Sequence, residues 1–454
     1  MKIYRFCEIV WNKLSQISTW LLYSCLHLVI HASTILFPRR KSKDCFDIIF
    51  IKDDNIGDII VTLPIFLALR SQLPSTSRLA ILTSSIMAPS VSATGIFDAV
   101  IPCSVNYQHI YLKDIFFFSH FQSKMCIDLK LHSDIKRSFL ARCIHSKKYY
   151  DINSCAKFIY ENRIRLNQEK CHSISDYLHY LSDIIFRSTY TIGFHRPYED
   201  FVHDRSIVQQ QTIALGKMLS LDCKSLENAV RVTFAKKCLA DIYKESRSLA
   251  HISFDQKTQK IYQDGHYILL VPGASNPQRC WPSERFIHVL KKIIADDPTM
   301  KILITGAKGE ETLCDTIAEA LGENAVNLCS KITILHFIKL ALNCCYALGN
   351  ETGTTNITST LAVDTYCLVG GGHFNLFCPC PYRPQLIPIY HYMPCFSCSW
   401  WPGNIDKKCE YGKTFICIDK LSEDEVLNEL CHRQAPLQHG QTDQQQSDFT
   451  RKPQ

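Results

Sequence analysis

Beyond Arg40, short apolar runs bounded by turn residues alternate with longer stretches whose apolar positions recur at helical spacing. This is the pattern of a layered α/β protein, with strands feeding helices. In the first half it predicts a strand over 46–52, a helix over 58–72, a strand over 78–83 and an apolar stretch around Met125–Leu129. Helix-like stretches follow near 134–146 and 173–187, and a mixed, polar region over 188–262 is expected to hold the crossover between domains. The second half predicts a strand within 267–275 that ends in a Pro-Gly turn, and strands over 301–307, 324–329, 345–350 and 365–371. Between them the pattern places helices over 281–294, 310–321 and 333–343, and a short one from about 354. Such alternation implies mostly parallel sheets covered on both faces. At 454 residues the chain exceeds one ordinary domain. The expected division is a basic appendage over 1–44, a first α/β domain over 45–245, a second over 246–432 and a polar, Gln-rich, disordered tail over 433–454.

Charge changes the picture at one end only. The formal net charge is +7, yet residues 1–43 carry seven Lys or Arg against the single acid Glu8, so the rest of the chain is close to neutral. A neutral body argues against nucleic-acid binding. From Leu14 to Pro38 there is no charged residue, and Gln16, Ser24, His27, His31 and Thr34 share one helical stripe while Leu14, Ile17, Leu21, Leu28 and Ile35 share another. An amphipathic helix with basic ends is expected to lie in the interface of an anionic membrane. A true span and a helix packed on the body remain alternatives, and a topology reporter at residue 1 that reads periplasmic would exclude the interfacial placement. The 23 cysteines are odd in number and scattered through helix-like and strand-like stretches, which suits a reducing cytosol and buried thiols.

Three turns follow predicted strands and open helices. In "FDIIFIKDDNIGDIIVTLPIFLALR" (46–70), Gly57 permits a tight turn and Asp58 stands at the helix start. Asp58 suits an N-cap, and equally a carboxylate held ionised at a helix N-terminus and able to take a proton from a hydroxyl. In "PGASNPQRCWP" (272–282), Gly273, Ala274 and Ser275 form a turn of backbone amides suited to phosphate oxygens, and Arg279 supplies a cation; a solvated surface arginine is the alternative. In "LGNETGTTN" (348–356), Gly349 and Gly353 flank Glu351 and Thr352, as a helix cap or as a site for phosphate and sugar hydroxyls.

Taken in order, "IIFIKDDNIGDIIVTLPIFLALR", "LLVPGASNPQRCWPSERF", "ILITGAKGEE" and "LGNETGTTNITSTLAVDTYCLVG" resemble glycosyltransferase family 9, the ADP-heptose:lipopolysaccharide heptosyltransferases, from about Phe46 to Leu430. The resemblance implies a GT-B fold, with two Rossmann-like doubly wound domains facing across a cleft. It also implies inverting, metal-independent transfer of heptose from ADP-heptose to the lipopolysaccharide inner core, without a cofactor. Such a chain would sit in the cytoplasm, peripheral on the inner membrane. By the same resemblance Asp58 is the catalytic base, Ser275 and Arg279 meet the donor phosphates, and Glu310, in a Gly-x-x-x-Glu stretch, holds the ribose. Glu351, Thr352 and Gly353 match an Asp-Thr-Gly turn. Three positions depart from the family pattern: Glu351 replaces Asp, Asn356 replaces His and Asn55 replaces a frequent Arg. These departures leave open another nucleotide-hexose donor for a surface polysaccharide, or a degenerate member that binds nucleotide or glycan.

An anionic acceptor calls for cations, and "LKLHSDIKRSFLARCIHSKK" (129–148) offers Lys130, Lys136, Arg137 and Arg142, with a solvated helix face as the plain alternative. Cys395, Cys398, Cys409 and Cys417 are spaced as four thiolates able to hold structural zinc. Similar cysteines recur near the C-terminus of family 9 members without implying a metal, and none is assigned.

Overall fold

The computed structural model describes residues 45–53, 56–103, 117–118, 120–129, 144–151, 207–374, 377–393, 409 and 415–434. The expected N-terminal helix, the polar tail beyond Gln434, the stretches at 134–143 and 173–187, and Lys130, Lys136, Arg137 and Arg142 lie outside the described residues. Among the described residues no helix is long and apolar enough to cross a membrane. The chain divides into two compact units. One runs to Ile252 and takes back Ile334–Lys339 and Thr360–Ala362; the other comprises Ser253–Thr333, Leu340–Ser359 and everything from Val363.

The first unit holds a five-stranded parallel sheet of β1 (Cys45–Lys52), β2 (Leu79–Ser84), β3 (Ala99–Cys103), β4 (Gln122–Asp128) and β5 (His145–Asp151), in the order β3-β2-β1-β4-β5. Ile49 of β1 pairs with Ala80 on one side and Cys126 on the other, and Ile49, Phe50 and Ile51 are buried. Burial on both faces of a parallel sheet is why the run reads as continuously apolar. The predicted helix over 58–72 is two pieces, α1 (Ile56–Ile60) and α2 (Leu63–Gln72). Pro64 has no N–H to give to the Ile60 carbonyl, and the chain tightens there: Thr62 N bonds Ile59 O at 3.1 Å and Ile65 N bonds Thr62 O at 3.0 Å. Further helices are α3 (Ala88–Ser92), α4 (Ile207–Met218), α5 (Cys223–Ala235), α6 (Cys238–Glu245) and α7 (Arg247–Ala250). The described part of the polar region before residue 262 is therefore helical. Asp222 caps α5 by accepting from Ser225 N at 2.9 Å, and Tyr243 of α6 is buried with its hydroxyl on Ser90 O at 2.9 Å.

The second unit opens with α8 (Gln256–Asp264), ended by Gly265 at φ +68°. Its six strands are β6 (Tyr267–Val271), β7 (Lys301–Ile304), β8 (Ala325–Asn327), β9 (Tyr346–Asn350), β10 (Thr365–Leu368) and β11 (Leu386–Ile389), all parallel, in the order β11-β10-β9-β6-β7-β8. Helices α9 (Ser283–Asp296), α10 (Glu311–Leu321), α11 (Ile334–Ala341) and α12 (Gly353–Thr360) connect them, and α13 (Ile416–Asp419) and α14 (Glu423–Gln434) follow. Trp281, Phe286, Leu290, Ile302, Leu348 and Leu421 belong to one core, with Trp281 Nε1 donating to Leu421 O at 2.9 Å.

Both sheets keep the doubly wound order, so each has a point where the strand order reverses: between β1 and β4, and between β6 and β9. Ligands of open α/β sheets bind outside the carboxyl ends of strands at that point. The strand predicted within 267–275 ends at Val271, at the predicted Pro272-Gly273 turn, while those predicted over 301–307 and 365–371 stop at Ile304 and Leu368, because Gly306 and Gly370-Gly371 turn the chain out of the sheet. That places the polar half of each run in a loop above the sheet.

Candidate donor site at the strand reversal of the second sheet

Three loops meet at the carboxyl end of β6, β7 and β9. The first leaves β6 through Pro272, Gly273 and Ala274, all buried, and reaches the exposed Ser275. Asn276 then accepts from Gln278 N at 3.0 Å, making a single 3₁₀ turn, Pro277–Arg279, that ends on a half-buried arginine. The second leaves β7, where Glu310 Oε2 accepts from Ala307 N at 2.7 Å. The Glu310 carboxyl lies against Gly273, where an added Cβ would stand 2.1 Å from its Cδ. Any side chain at 273 would displace the Glu310 carboxylate from this place, a contact that spacing alone does not reveal.

The third loop leaves β9, and Asn350 ties it to the first. The Asn350 side chain is fully buried; its Oδ1 accepts from Trp281 N at 3.0 Å and its Nδ2 donates to Pro272 O at 2.5 Å. Beside it an added Cβ on Gly349 would fall 2.2 Å from Val271 O, so the two strand ends approach as closely as backbone allows. Thr355 Oγ1 accepts from Thr352 N at 2.9 Å and donates to Asn350 O at 3.0 Å, fixing the start of α12. Asn350→Ala leaves two buried backbone groups unmet, at about 1–3 kcal/mol each. It is expected to lower stability by a few kcal/mol in urea unfolding and to weaken nucleotide binding in parallel. Unchanged unfolding would show that the clamp contributes nothing.

Glu351 is 9% exposed and its Oε1 has no hydrogen-bond partner among the described residues. Burial pushes its pKa up to about 7, against the pull of the Arg279 and Arg383 guanidinium groups. A carboxylate kept this dry, next to two cations and with one oxygen uncommitted, is suited to accept a hydrogen bond from a ligand. Thr352 and Gly353 are half-buried at the opening of α12. Asn356 is turned inward: it is 6% exposed, its Nδ2 donates to Thr352 O at 3.0 Å and its Oδ1 accepts from Arg383 Nη1 at 2.7 Å. The structure therefore gathers Gly273, Ala274, Ser275, Arg279, Glu310, Glu351, Thr352 and Gly353 on three adjoining loops, with Asn356 bracing one of them from behind.

Asp58 lies in the first unit. It is the third residue of α1, half-buried, with its carbonyl accepting from Thr62 Oγ1 at 2.7 Å. Among the described residues no group of three His, Cys, Asp or Glu could hold a metal ion. Of the cysteine array, Cys395 and Cys398 lie outside the described residues, while Cys417 is buried and its sulfur accepts from Gly371 N at 3.2 Å. Sequence reasoning missed Asn350 and Arg383. The signal for Asn350 was a polar residue ending the apolar run "CYALGN"; Arg383, alone in "CPCPYRPQ", had no periodic pattern to reveal it.

Residues 213–379 match the family model described as glycosyltransferase family 9 (heptosyltransferase). Over that segment the chain is similar to glycosyltransferase family 9. The matched segment contains all three loops and ends short of Arg383. Lipooligosaccharide heptosyltransferase 2 of Campylobacter jejuni is 28% identical over 177 residues, covering 37% of this chain and 52% of that protein. The chain thus spans about half the length of the curated relative it matches. Two solved structures share the fold at 14% identity: the E. coli heptosyltransferase WaaC with ADP (TM-score 0.55, 85% of this chain and 99% of that one) and the E. coli ADP-heptose lps heptosyltransferase II (TM-score 0.52, 86% and 99%). The fold class is therefore α/β of the GT-B type, as the family 9 resemblance implied.

Proposed function

We propose that the chain is an inverting glycosyltransferase that moves a heptose from ADP-heptose onto the lipopolysaccharide inner core. The observation that carries this reading is the contact of the Glu310 carboxyl with Gly273, beside the β9 loop that bears Glu351, at the strand reversal of a sheet most of whose sequence matches family 9. Support for the nucleotide comes from the E. coli structures described with ADP and with ADP-2-deoxy-2-fluoro heptose. In this reading the amides of Gly273, Ala274 and Ser275 and the Arg279 guanidinium face the diphosphate, Glu310 takes the ribose hydroxyls and Glu351 the sugar hydroxyls.

The acceptor oxygen attacks the anomeric carbon as the bond to the diphosphate oxygen breaks. The acceptor proton passes to Asp58, and ADP carries away the bonding electron pair. Attack opposite the leaving group inverts the centre. Negative charge grows on the diphosphate during this step, so a fixed cation and oriented amides act more strongly in the transition state than in the ground state. The acceptor would be reached from the cytoplasmic surface of the inner membrane, to which the basic appendage over 1–44 would hold the chain.

The test is ADP release from ADP-heptose, UDP-sugars and GDP-sugars with the full chain and a lipopolysaccharide core acceptor. ADP-heptose is expected to be turned over best, and Arg279→Ala to weaken donor binding about tenfold or more. Better turnover of a UDP- or GDP-hexose would transfer support to the second reading, another nucleotide-hexose donor. Glu351 favours that alternative, since its arm is one methylene longer than the family's usual aspartate. Nucleotide binding without turnover of any donor would identify a degenerate, binding-only chain.

A further inference from the structure

Behind the β9 loop lies a buried cation that the proposed chemistry leaves unused. Arg383 is 1% exposed, yet it follows the Cys- and Pro-rich segment after β10 and stands outside the matched family segment. Its backbone is held by two turns, Arg383 N to Cys380 O and Leu386 N to Arg383 O, both 2.9 Å. Its guanidinium is splayed over three acceptors: Nη1 reaches Asn356 Oδ1 at 2.7 Å and Ser359 Oγ at 3.0 Å, and Nη2 reaches Phe377 O at 2.5 Å. Nε has no hydrogen-bond partner among the described residues.

From Asn356 the connection continues. Asn356 Nδ2 donates to Thr352 O at 3.0 Å, and Thr352 N is held by Thr355 Oγ1 at 2.9 Å. A rigid planar fork thus grips the turn that carries Glu351, and does so from the side away from solvent. Burying a guanidinium is costly unless its charge is answered. Two of the three acceptors are neutral side chains and the third is a carbonyl, and Glu351 supplies the nearby opposite charge.

We propose that Arg383 is a positioning residue of the donor site, holding the 351–356 turn through Asn356 and keeping the Glu351 carboxylate charged and aimed at the donor sugar. This rests on the reading of the three loops as a donor site. Glu351 is faced by Arg279 from the β6 loop, and by Arg383 and the Cys378 thiol from the segment after β10; burial holds that thiol well above its ordinary range. Both arginines pull Glu351 down while burial pushes it up to about 7. Only the ionised carboxylate is a full acceptor for sugar hydroxyls, so donor binding should rise with pH through that region. Without the Arg383 charge the midpoint moves upward.

The experiment is titration calorimetry of the full chain with ADP-heptose and with ADP alone across pH 5.5–9, on wild type, Arg383→Gln, Arg383→Lys and Glu351→Gln. Arg383→Gln is expected to weaken ADP-heptose binding about tenfold to hundredfold at pH 7 and to raise the pH midpoint by about one unit. ADP alone should be affected less. Arg383→Lys should keep most of the midpoint, having kept the charge, and lose part of the affinity with the fork. In a Glu351→Gln background the Arg383 change should shift no midpoint.

If Arg383→Gln does not fold, Ser359→Ala removes one contact and should raise the midpoint slightly in the same direction. An unmoved midpoint in every folded variant overturns the inference while leaving the donor site intact. A wild-type chain that binds no nucleoside diphosphate sugar overturns the site, and the inference with it.

Discussion

Asp58→Ala is expected to lower transfer 10²–10⁴-fold, the usual contribution of a general base, while ADP affinity changes by less than about twofold. The separation follows from where the groups lie. Gly273, Arg279, Glu310 and Glu351 all belong to loops of the second unit, whereas Asp58 belongs to α1 of the first. Alanine alone does not decide between a base and a helix-terminal carboxylate, because either role is lost. Asp58→Asn does: at the third position of α1 asparagine keeps the size and the hydrogen-bonding oxygen of the side chain, but its amide takes no proton. Rates and ADP titrations of both variants give the answer. If Asn restores transfer to near wild type, Asp58 is structural; if Asn is as slow as Ala while folding and binding ADP normally, it is the base.

Much of this architecture was legible because the forces that form it are periodic. The run 267–271 reads as a buried strand since parallel strands are apolar on both faces, and "SERFIHVLKKIIAD" reads as a helix since only one face needs burial. Three of the four edge strands were not legible; β8 was the exception. β3 and β11 contain Pro102 and Pro388, tolerated where one side of a strand has no neighbour, and β5 carries the exposed Lys147 and Lys148. The break at Val61–Thr62 was written in Pro64, but the apolar periodicity on either side concealed it.

At the candidate site, the residues proposed to meet a ligand were signalled by turn chemistry: Gly273, Glu351, Gly353. Those that hold the turns in place did not. Asn350 bonds Trp281 from 69 positions away and Arg383 bonds Asn356 from 27 positions away, contacts that exist only once the sheet has formed. A sequence shows what a loop can bind more readily than what keeps the loop still.

Glu351→Gln should make the protein more stable at pH 8 and worse at binding its donor. In the folded chain the Glu351 pKa is raised from 4.5 to about 7 by burial. Between those values the folded state holds the proton and the unfolded state does not, so stability falls as pH rises through the interval and stays reduced above it. The interval corresponds to roughly 3 kcal/mol at 1.36 kcal/mol per unit. Glutamine cannot ionise and escapes that loss, so its unfolding midpoint in urea should exceed that of wild type at pH 8.

At pH 5 the wild-type side chain is itself mostly neutral, and the two proteins should be nearly alike. The expected signature is a flattened pH dependence of stability between pH 5 and 8, joined to weaker ADP-heptose binding. If the variant were less stable than wild type at pH 8, Glu351 would be a structural anion answered by Arg279 and Arg383. The opposite outcome identifies a carboxylate held charged against its own environment. Such a group persists where a ligand restores what burial removes, and donor binding should accordingly raise the wild-type midpoint more than that of the glutamine variant.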